Sequence, residues 1–296
     1  MKKAIIFSFL AAGICLVGAI LLIWYYQVTM ESIMGPMTLT EVVKDETLEL
    51  TGQQKLKLEL CGAKVELRES NSLAEQIEVH ENSKYFRPQD LETKLIQGFG
   101  QEVTISNCHI YNSQGGAMFG TPEQEVSLVI VLPQGKKWQE IEIESNYQTQ
   151  IAGKLVAVTE IAVESSVGWT NLEQLSMEAD QIKIESGTGR LDVAGLKARE
   201  IWVENVMGYV RVMKSTGQVM VENVAGEVEL EDCELATGSK VIDNVAGEIK
   251  VVGGKGVLEG QGNLEVRSYG NEIVKTERIV NTEAVSERLR EMAREE

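Results

Sequence analysis

The sequence predicts an all-β chain: an elongated β-solenoid-like ladder of about 20-residue two-strand rungs, preceded by one transmembrane helix. Three observations predict it. Twenty-seven Gly against four Pro and 5% aromatic residues, among many short Val/Ile/Leu doublets, mark frequent tight turns between short strands. One pattern of alternating apolar residues closed by an acid returns six times in the second half. A single long uncharged stretch lies near the amino terminus.

That stretch runs from Ala4 to Tyr26, behind Lys2 and Lys3. At about 1.5 Å per residue a helix of this length crosses a hydrocarbon core of roughly 30 Å. Lys2 and Lys3 favour a cytoplasmic amino terminus, and Trp24, Tyr25 and Tyr26 suit the far interface. A cleaved signal peptide is the competing reading, but its apolar region would be unusually long and no A-x-A follows Tyr26. The expectation is a tip at 1–3, a membrane helix at 4–26 in contact with lipid, and everything after it outside the cytoplasm. Residues 27–46, mixed and aperiodic, read as a stalk.

The β-repeat domain is expected over 47–275. Its copies are Ile141-Glu-Ile-Glu144-Ser145, Ile161-Ala-Val-Glu164-Ser165, Ile182-Lys-Ile-Glu185-Ser186, Ile201-Trp-Val-Glu204-Asn205, Val219-Met-Val-Glu222-Asn223 and Lys240-Val-Ile-Asp243-Asn244. The acids are 20, 21, 19, 18 and 21 residues apart, the signature of stacked rungs. Alternation sends Ile182 and Ile184 to one face, and Lys183 and Glu185 to the other. After the Ser186-Gly187-Thr188-Gly189 turn it restarts with Leu191 and Val193 inward, and Ala194-Gly195 turns again. Each rung is thus two strands and two bends, stabilised by its neighbours. Upstream, Lys55–Leu60, Ala63–Leu67, Gln76–Val79, Glu102–Ile105 and Val126–Leu132 read as further strands with looser spacing. Residues 276–296 form a charged segment in which Val285, Leu289 and Met292 share one helical stripe, a candidate cap.

Leu56-Lys-Leu-Glu-Leu60 through Lys64-Val-Glu-Leu67, then Val129-Ile-Val-Leu-Pro133-Gln-Gly135 and the recurrent Glu-Ser/Asn-x-x-Gly turns, resemble the bacterial "putative-adhesin" family of β-strand-repeat proteins, also called toastrack domains. The resemblance covers most of the chain beyond the anchor. It implies a ladder-shaped domain tethered to a bacterial membrane, with adhesion or envelope-stress signalling as its context and no catalytic residues to carry over.

Charge narrows the partners. With 28 basic and 45 acidic residues the net charge is −17, a surface that repels nucleic acid. Cys61, Cys108 and Cys233 show no metal or redox spacing; one pair can form a disulfide outside the cell, leaving an odd thiol, and buried free thiols are the favoured reading. His80 and His109 stand in unrelated contexts. No nucleophile elbow or phosphate-binding glycine motif occurs, so no catalytic, metal or cofactor residue is assigned.

Parity makes Glu144, Glu164, Glu185, Glu204, Glu222 and Asp243 an outward acidic column, screened by solvent and flanking Lys or Arg or else open to divalent cations. The following Ser or Asn turns inward, where it can bond the turn backbone and stack from rung to rung. Trp202, Met220 and Val241 are expected outward on three consecutive rungs, and Trp169 and Tyr209 outward in another column. An exposed apolar stripe of this kind marks a contact, either with a partner or with the terminal segment. The function expected is a non-enzymatic, envelope-anchored interaction module at the cell membrane, binding a protein or surface polymer. A carbohydrate-active β-helix enzyme and a self-assembling scaffold are the alternatives.

Overall fold

A buried residue at every second position recurs along most of the chain, and the strands it specifies close on one another sideways. The computed structural model describes residues 39–72, 74–86, 94–108, 126–259 and 264–267. Among the described residues, seventeen strands form one continuous sheet. They are β1 (Leu39–Glu49), β2 (Lys55–Cys61), β3 (Ala63–Glu69), β4 (Gln76–Phe86), β5 (Ile96–Phe99), β6 (Glu102–Ser106), β7 (Val126–Leu132) and β8 (Trp138–Ser186), then β9 (Arg190–Ala194), β10 (Leu196–Asn205), β11 (Tyr209–Met213), β12 (Thr216–Asn223), β13 (Glu227–Glu231), β14 (Glu234–Leu235), β15 (Lys240–Asn244), β16 (Glu248–Val252) and β17 (Leu264–Arg267). β8 is a ribbon that turns corners without losing its hydrogen bonds, with left-handed backbone at Tyr147, Gly153 and Gly168.

Two faces result. On face one β6, β2 and the start of β8 are parallel neighbours, and the end of β8 continues through β10, β12 and β15. On face two β7 and β3 adjoin β8, which continues through β9, β11, β13, β16 and β17. Inward-pointing Ile182, Ile184, Ile201 and Val203 from face one meet Leu191, Val193, Val210 and Val212 from face two, all at most 1% exposed. Full burial of each such side chain contributes about 1.5–3 kcal/mol.

The rungs have three sides, not the two strands and two bends the sequence suggests. Leu196, Lys197 and Ala198 pair with Met177, Glu178 and Ala179; Lys197 pairs with Thr216 on the other side; Thr216 and Gly217 pair with Glu234 and Leu235; and Glu234 bridges to Lys255. The corner into this short side is marked on each rung by a left-handed residue, Gly195, Lys214, Asp232 and Gly253, the last followed by a second at Gly254. These corners repeat at the same 19-, 18- and 21-residue steps as the acids Glu185, Glu204, Glu222 and Asp243. A single left-handed residue turns the chain sharply without a longer loop, so the two strands become a triangle.

The corner between faces one and two is built from Ser or Asn followed three residues later by Gly. Asn205 donates from Nδ2 to Gly208 O at 3.0 Å and accepts at Oδ1 from Gly208 N at 3.1 Å. The same Nδ2 reaches Asn223 Oδ1 of the next rung at 3.0 Å, and Asn223 repeats the pattern toward Gly226 O and Asn244. Gly189, Gly208, Gly226 and Gly247 stack so closely that a methyl group on any of them would collide with the carbonyl of the glycine one rung back. The inward polar corner expected from parity is a hydrogen-bonded ladder through Asn205, Asn223 and Asn244, while Ser186 Oγ is buried and makes no hydrogen bond among the described residues.

The other end differs. β1 and β4, β4 and β7, and β5 and β6 are antiparallel. They cap the open edge of the first rung in space, which is β6–β7 rather than the earlier β2–β3. Glu46 joins the two capping pieces by accepting from Leu95 N and Ile96 N at 3.0 and 3.1 Å. The strand beginning at Leu39 corrects the expected stalk over 27–46 in its last part: β1 pairs with β4 along all 11 of its residues. As an outer strand with residues such as Glu41, Val43 and Asp45 facing solvent, it carries none of the apolar alternation that marks a strand covered on one face. The expected membrane helix at 4–26 and terminal cap at 276–296 lie outside the described residues.

Candidate functional site

Face one carries the acidic column and, beside it, an apolar pair. Glu59 and Glu144 are register partners, as are Glu185 and Glu204, Glu204 and Glu222, and Glu222 and Asp243. Like charges one strand apart repel, and cations are placed among them. Lys57 Nζ lies 2.5 Å from Glu144, 3.2 Å from Glu142 and 3.4 Å from Glu59. Burial works against the Lys57 charge, but its hydrogen bonds to Glu144 and Glu142 outweigh that and hold the ammonium above its ordinary range. Burial pushes the Glu144 carboxyl up. Lys183 pairs with Glu185 in the same way further along. No group of three or more His, Cys, Asp or Glu among the described residues is arranged to hold a metal ion.

Trp202 and Met220 are register partners on the outside of this face, and both are half-buried. Lys183 stands on the other side of Trp202. The indole Nε1 is buried and makes no hydrogen bond among the described residues, an arrangement that leaves a donor unsatisfied. Val241, expected to extend this stripe, does not. It is 8% exposed and pairs with Val221. The pairing slips between Val221 and Glu222, so that Glu222 faces Asp243. The extra residue, Ile242, is squeezed out of the ladder and is 41% exposed. Such a bulge reverses the parity ahead of it: Lys240 takes the place beside Met220 that was assigned to Val241, and Ile242 stands exposed one step further on.

Trp169 and Tyr209 do face outward on face two, flanking Arg190 as register partners. They belong to a network centred on Asp192, which is 1% exposed. Arg190 grips its carboxylate at 2.6 and 3.0 Å, Trp169 Nε1 donates to it at 2.9 Å, and Arg211 lies 3.7 Å away. The Arg190 guanidinium sits 4.8 Å from the Tyr209 ring centre, close enough for a cation–π contact. Tyr209 donates to Glu229, and burial together with that carboxylate raises its phenol above the ordinary value. Asp192 was not singled out by sequence because alternation marks it as one more outward acid. Its signal is Arg190 two residues away on the same face, with Arg211 one rung further.

Among the described residues the cysteines resolve into a pair and a single thiol. Cys61 and Cys108 form a disulfide with Cα atoms 5.0 Å apart, and Cys233 is free and buried. The free-thiol reading is thus corrected for Cys61 and Cys108, whose 47-residue separation hides their adjacency at the end of β2 and just past β6. Buried Asn107 fixes the junction: its side chain accepts from Cys61 N and donates to Cys61 O, each at 2.8 Å. Burial pushes the Cys233 thiol up to about 11. His80 is a surface residue whose Nδ1 lies 2.7 Å from Asp45; His109 lies outside the described residues.

Comparison with known proteins adds a family. The pattern of the family described as Toastrack DUF4097 matches residues 53–265. Two crystal structures are similar: a "putative adhesin" from Parabacteroides distasonis, 14% identical with a TM-score of 0.40, covering 80% of this chain and 97% of that one, and a "putative cell adhesion protein" from Clostridium sporogenes, 12% identical with a TM-score of 0.32, covering 80% of this chain and 100% of that one. No curated protein matches the chain.

Proposed function

We propose, for a chain that belongs to the Toastrack DUF4097 family, a non-enzymatic role as a membrane-anchored module that holds a rigid β ladder outside the cytoplasm and presents face one to an envelope partner. The observation that carries the interaction reading is the Trp202–Met220 pair. Two large, half-buried apolar side chains stand side by side on the outside of a face rich in charge, and the acidic column beside them suits a cationic or polar protein partner. Tryptophan and methionine are both enriched at protein–protein interfaces, and tryptophan among the residues that carry most of the binding energy.

Two further features support the placement. Ala4–Tyr26 is long and apolar enough to span a membrane, and a structural disulfide suits an oxidising compartment. Adhesion and envelope-stress signalling are the two contexts in which such a tethered ladder would act.

The test replaces Met220 by a photo-crosslinking amino acid in the full chain, expressed in its native membranes. The expected result is one discrete adduct from the membrane fraction, absent when the crosslinker stands at Lys250 on face two and lost when Trp202 is changed to Ser. A chain found in the soluble fraction, or adducts indistinguishable between positions 220 and 250, would overturn the reading.

A further inference from the structure

Face two carries a groove beside β3 and β8. It encloses about 430 Å³ and is lined on the outside by Lys64, Glu66, Val129, Gln150, Asn171 and Gln174, with Ala152 in its floor. Its origin is a local break in the ladder. β3 pairs with β7 over seven residues but with β8 only through Lys64–Gln150, Val65–Ile151 and Glu66–Ala152. At Gly153 the backbone takes a left-handed conformation and passes against Leu67, where a Cβ would lie 2.6 Å from the Leu67 carbonyl oxygen. In the column Val129–Glu66–Ala152 the two outer members are short, a valine and an alanine.

The lining has a definite chemistry. Gln150, Asn171 and Gln174 are carboxamides that bring donors and acceptors to the groove, the Asn171 Oδ1 already accepting from Glu173 N at 3.0 Å and leaving its Nδ2 as donor, and Ser127 adds a hydroxyl. Val129 and Ala152 supply an apolar floor. Trp169 stands two residues from Asn171 along the same outward side of β8, and its ring is held by the bond from Nε1 to the buried Asp192 carboxylate. Glu66 and Glu173 flank the groove, in a chain of net charge −17, which opposes polyanions. A volume in the range of small-ligand sites, paired donors and acceptors, an apolar floor and a fixed aromatic ring together match a ligand with many hydroxyls and no net charge.

We propose that this groove binds a neutral saccharide unit, with the carboxamides of Gln150, Asn171 and Gln174 on its hydroxyls and the Trp169 ring as a stacking platform at one end. The site is on the face opposite to Trp202 and Met220 and stands independently of the partner assigned to them.

The experiment titrates the purified full chain in detergent with neutral hexose and N-acetylhexosamine oligosaccharides, reading calorimetric heat and tryptophan fluorescence. Heparin serves as the polyanionic comparison and an uncharged ten-residue peptide as the extended-chain comparison. The expected result is saturable binding of at least one neutral oligosaccharide, weakened at least tenfold by Gln150→Ala combined with Asn171→Ala and unchanged by Trp202→Ser with Met220→Ser. Ala152→Trp, which fills the groove from its floor and leaves the Asp192 network in place, should abolish binding even if a Trp169 variant fails to fold. No binding across the neutral panel, tighter binding of heparin or of the peptide, or equal binding by the Ala152→Trp chain would overturn the proposal. Loss of binding on changing Trp202 and Met220 would place the ligand on the wrong face and overturn it too.

Discussion

The two ends of this ladder solve the same problem by different means. From Ile182 onward each rung resembles the next: parallel strands in register, a Ser or Asn corner, a stacked glycine, and a left-handed residue into the short side. From Leu39 to Leu132 the chain doubles back in antiparallel pairs, puts its strands out of sequence order in space, and adds the Cys61–Cys108 disulfide. A rung flanked by equals is stabilised by nearest-neighbour stacking alone. A terminal rung lacks one neighbour, and its exposed edge has to be closed by other strands and held by a covalent link. The difference implies two independent vulnerabilities, one steric and local to the corner ladder, the other redox-dependent and local to the cap.

The largest expected effect is in the repeat. Gly226→Ala drives a methyl group into the Gly208 carbonyl and the Asn205 side chain, forcing two rungs apart and breaking the polar ladder between them. The cost should be about 4 kcal/mol or more, seen as a large drop in the urea midpoint or failure to accumulate folded protein. Removing the disulfide by Cys61→Ser with Cys108→Ser should cost roughly 2–4 kcal/mol, because a loop of nearly fifty residues is released in the unfolded chain. Reduction of the unmutated protein should reproduce this loss, and reduction of the double variant should add nothing. Asn205→Ala leaves the Gly208 N–H and one lone pair of Asn223 without partners, which should cost about 2–3 kcal/mol by chemical denaturation.

A smaller effect separates Cys233 from the cap cysteines. Its thiol is raised from 9.0 to about 11 by burial, so the unfolded chain ionises first as pH rises. Stability from this group is intact below about pH 9 and is lost as pH climbs toward 11, at a limiting slope of about 1.4 kcal/mol per pH unit. Cys233→Ala should flatten that part of the stability profile while leaving the response to reductant unchanged. The smallest effect on folding belongs to Trp202→Ser with Met220→Ser. Both side chains face outward, so the loss should stay within about 1 kcal/mol while the adduct formed by a crosslinker at the neighbouring Lys183 position disappears.

The same comparison explains what could be read in the chain beforehand. Ile182, Ile184, Ile201 and Val203 alternate with charge and recur at fixed steps, so face one and its acidic column were legible. So was the corner, because Asn205 and Asn223 occupy inward parity where only a polar ladder could satisfy them. The short side was not, since Leu196-Lys-Ala198 and Glu234-Leu235 are too brief to show any period. Val241 was misplaced because nothing in Lys240-Val-Ile-Asp-Asn244 announces a bulge, and parity carried past it inverts. The capping strand β1 was invisible as a strand for the physical reason that it is an edge: Val43 is 73% exposed, and its pairing is by backbone rather than by a buried face. Asp192 looked like any outward acid until Arg190, Arg211 and Trp169 were seen to close over it.

Hydrogen exchange of the full chain, compared before and after reduction at neutral pH, tests the division between clamp and ladder most directly. Reduction should speed exchange in β2 and β6, where Lys55–Glu59 pair with Glu102–Ser106, and leave β10 through β13 as protected as before. Equal loss of protection along both regions, or loss confined to β10 through β13, would contradict the account.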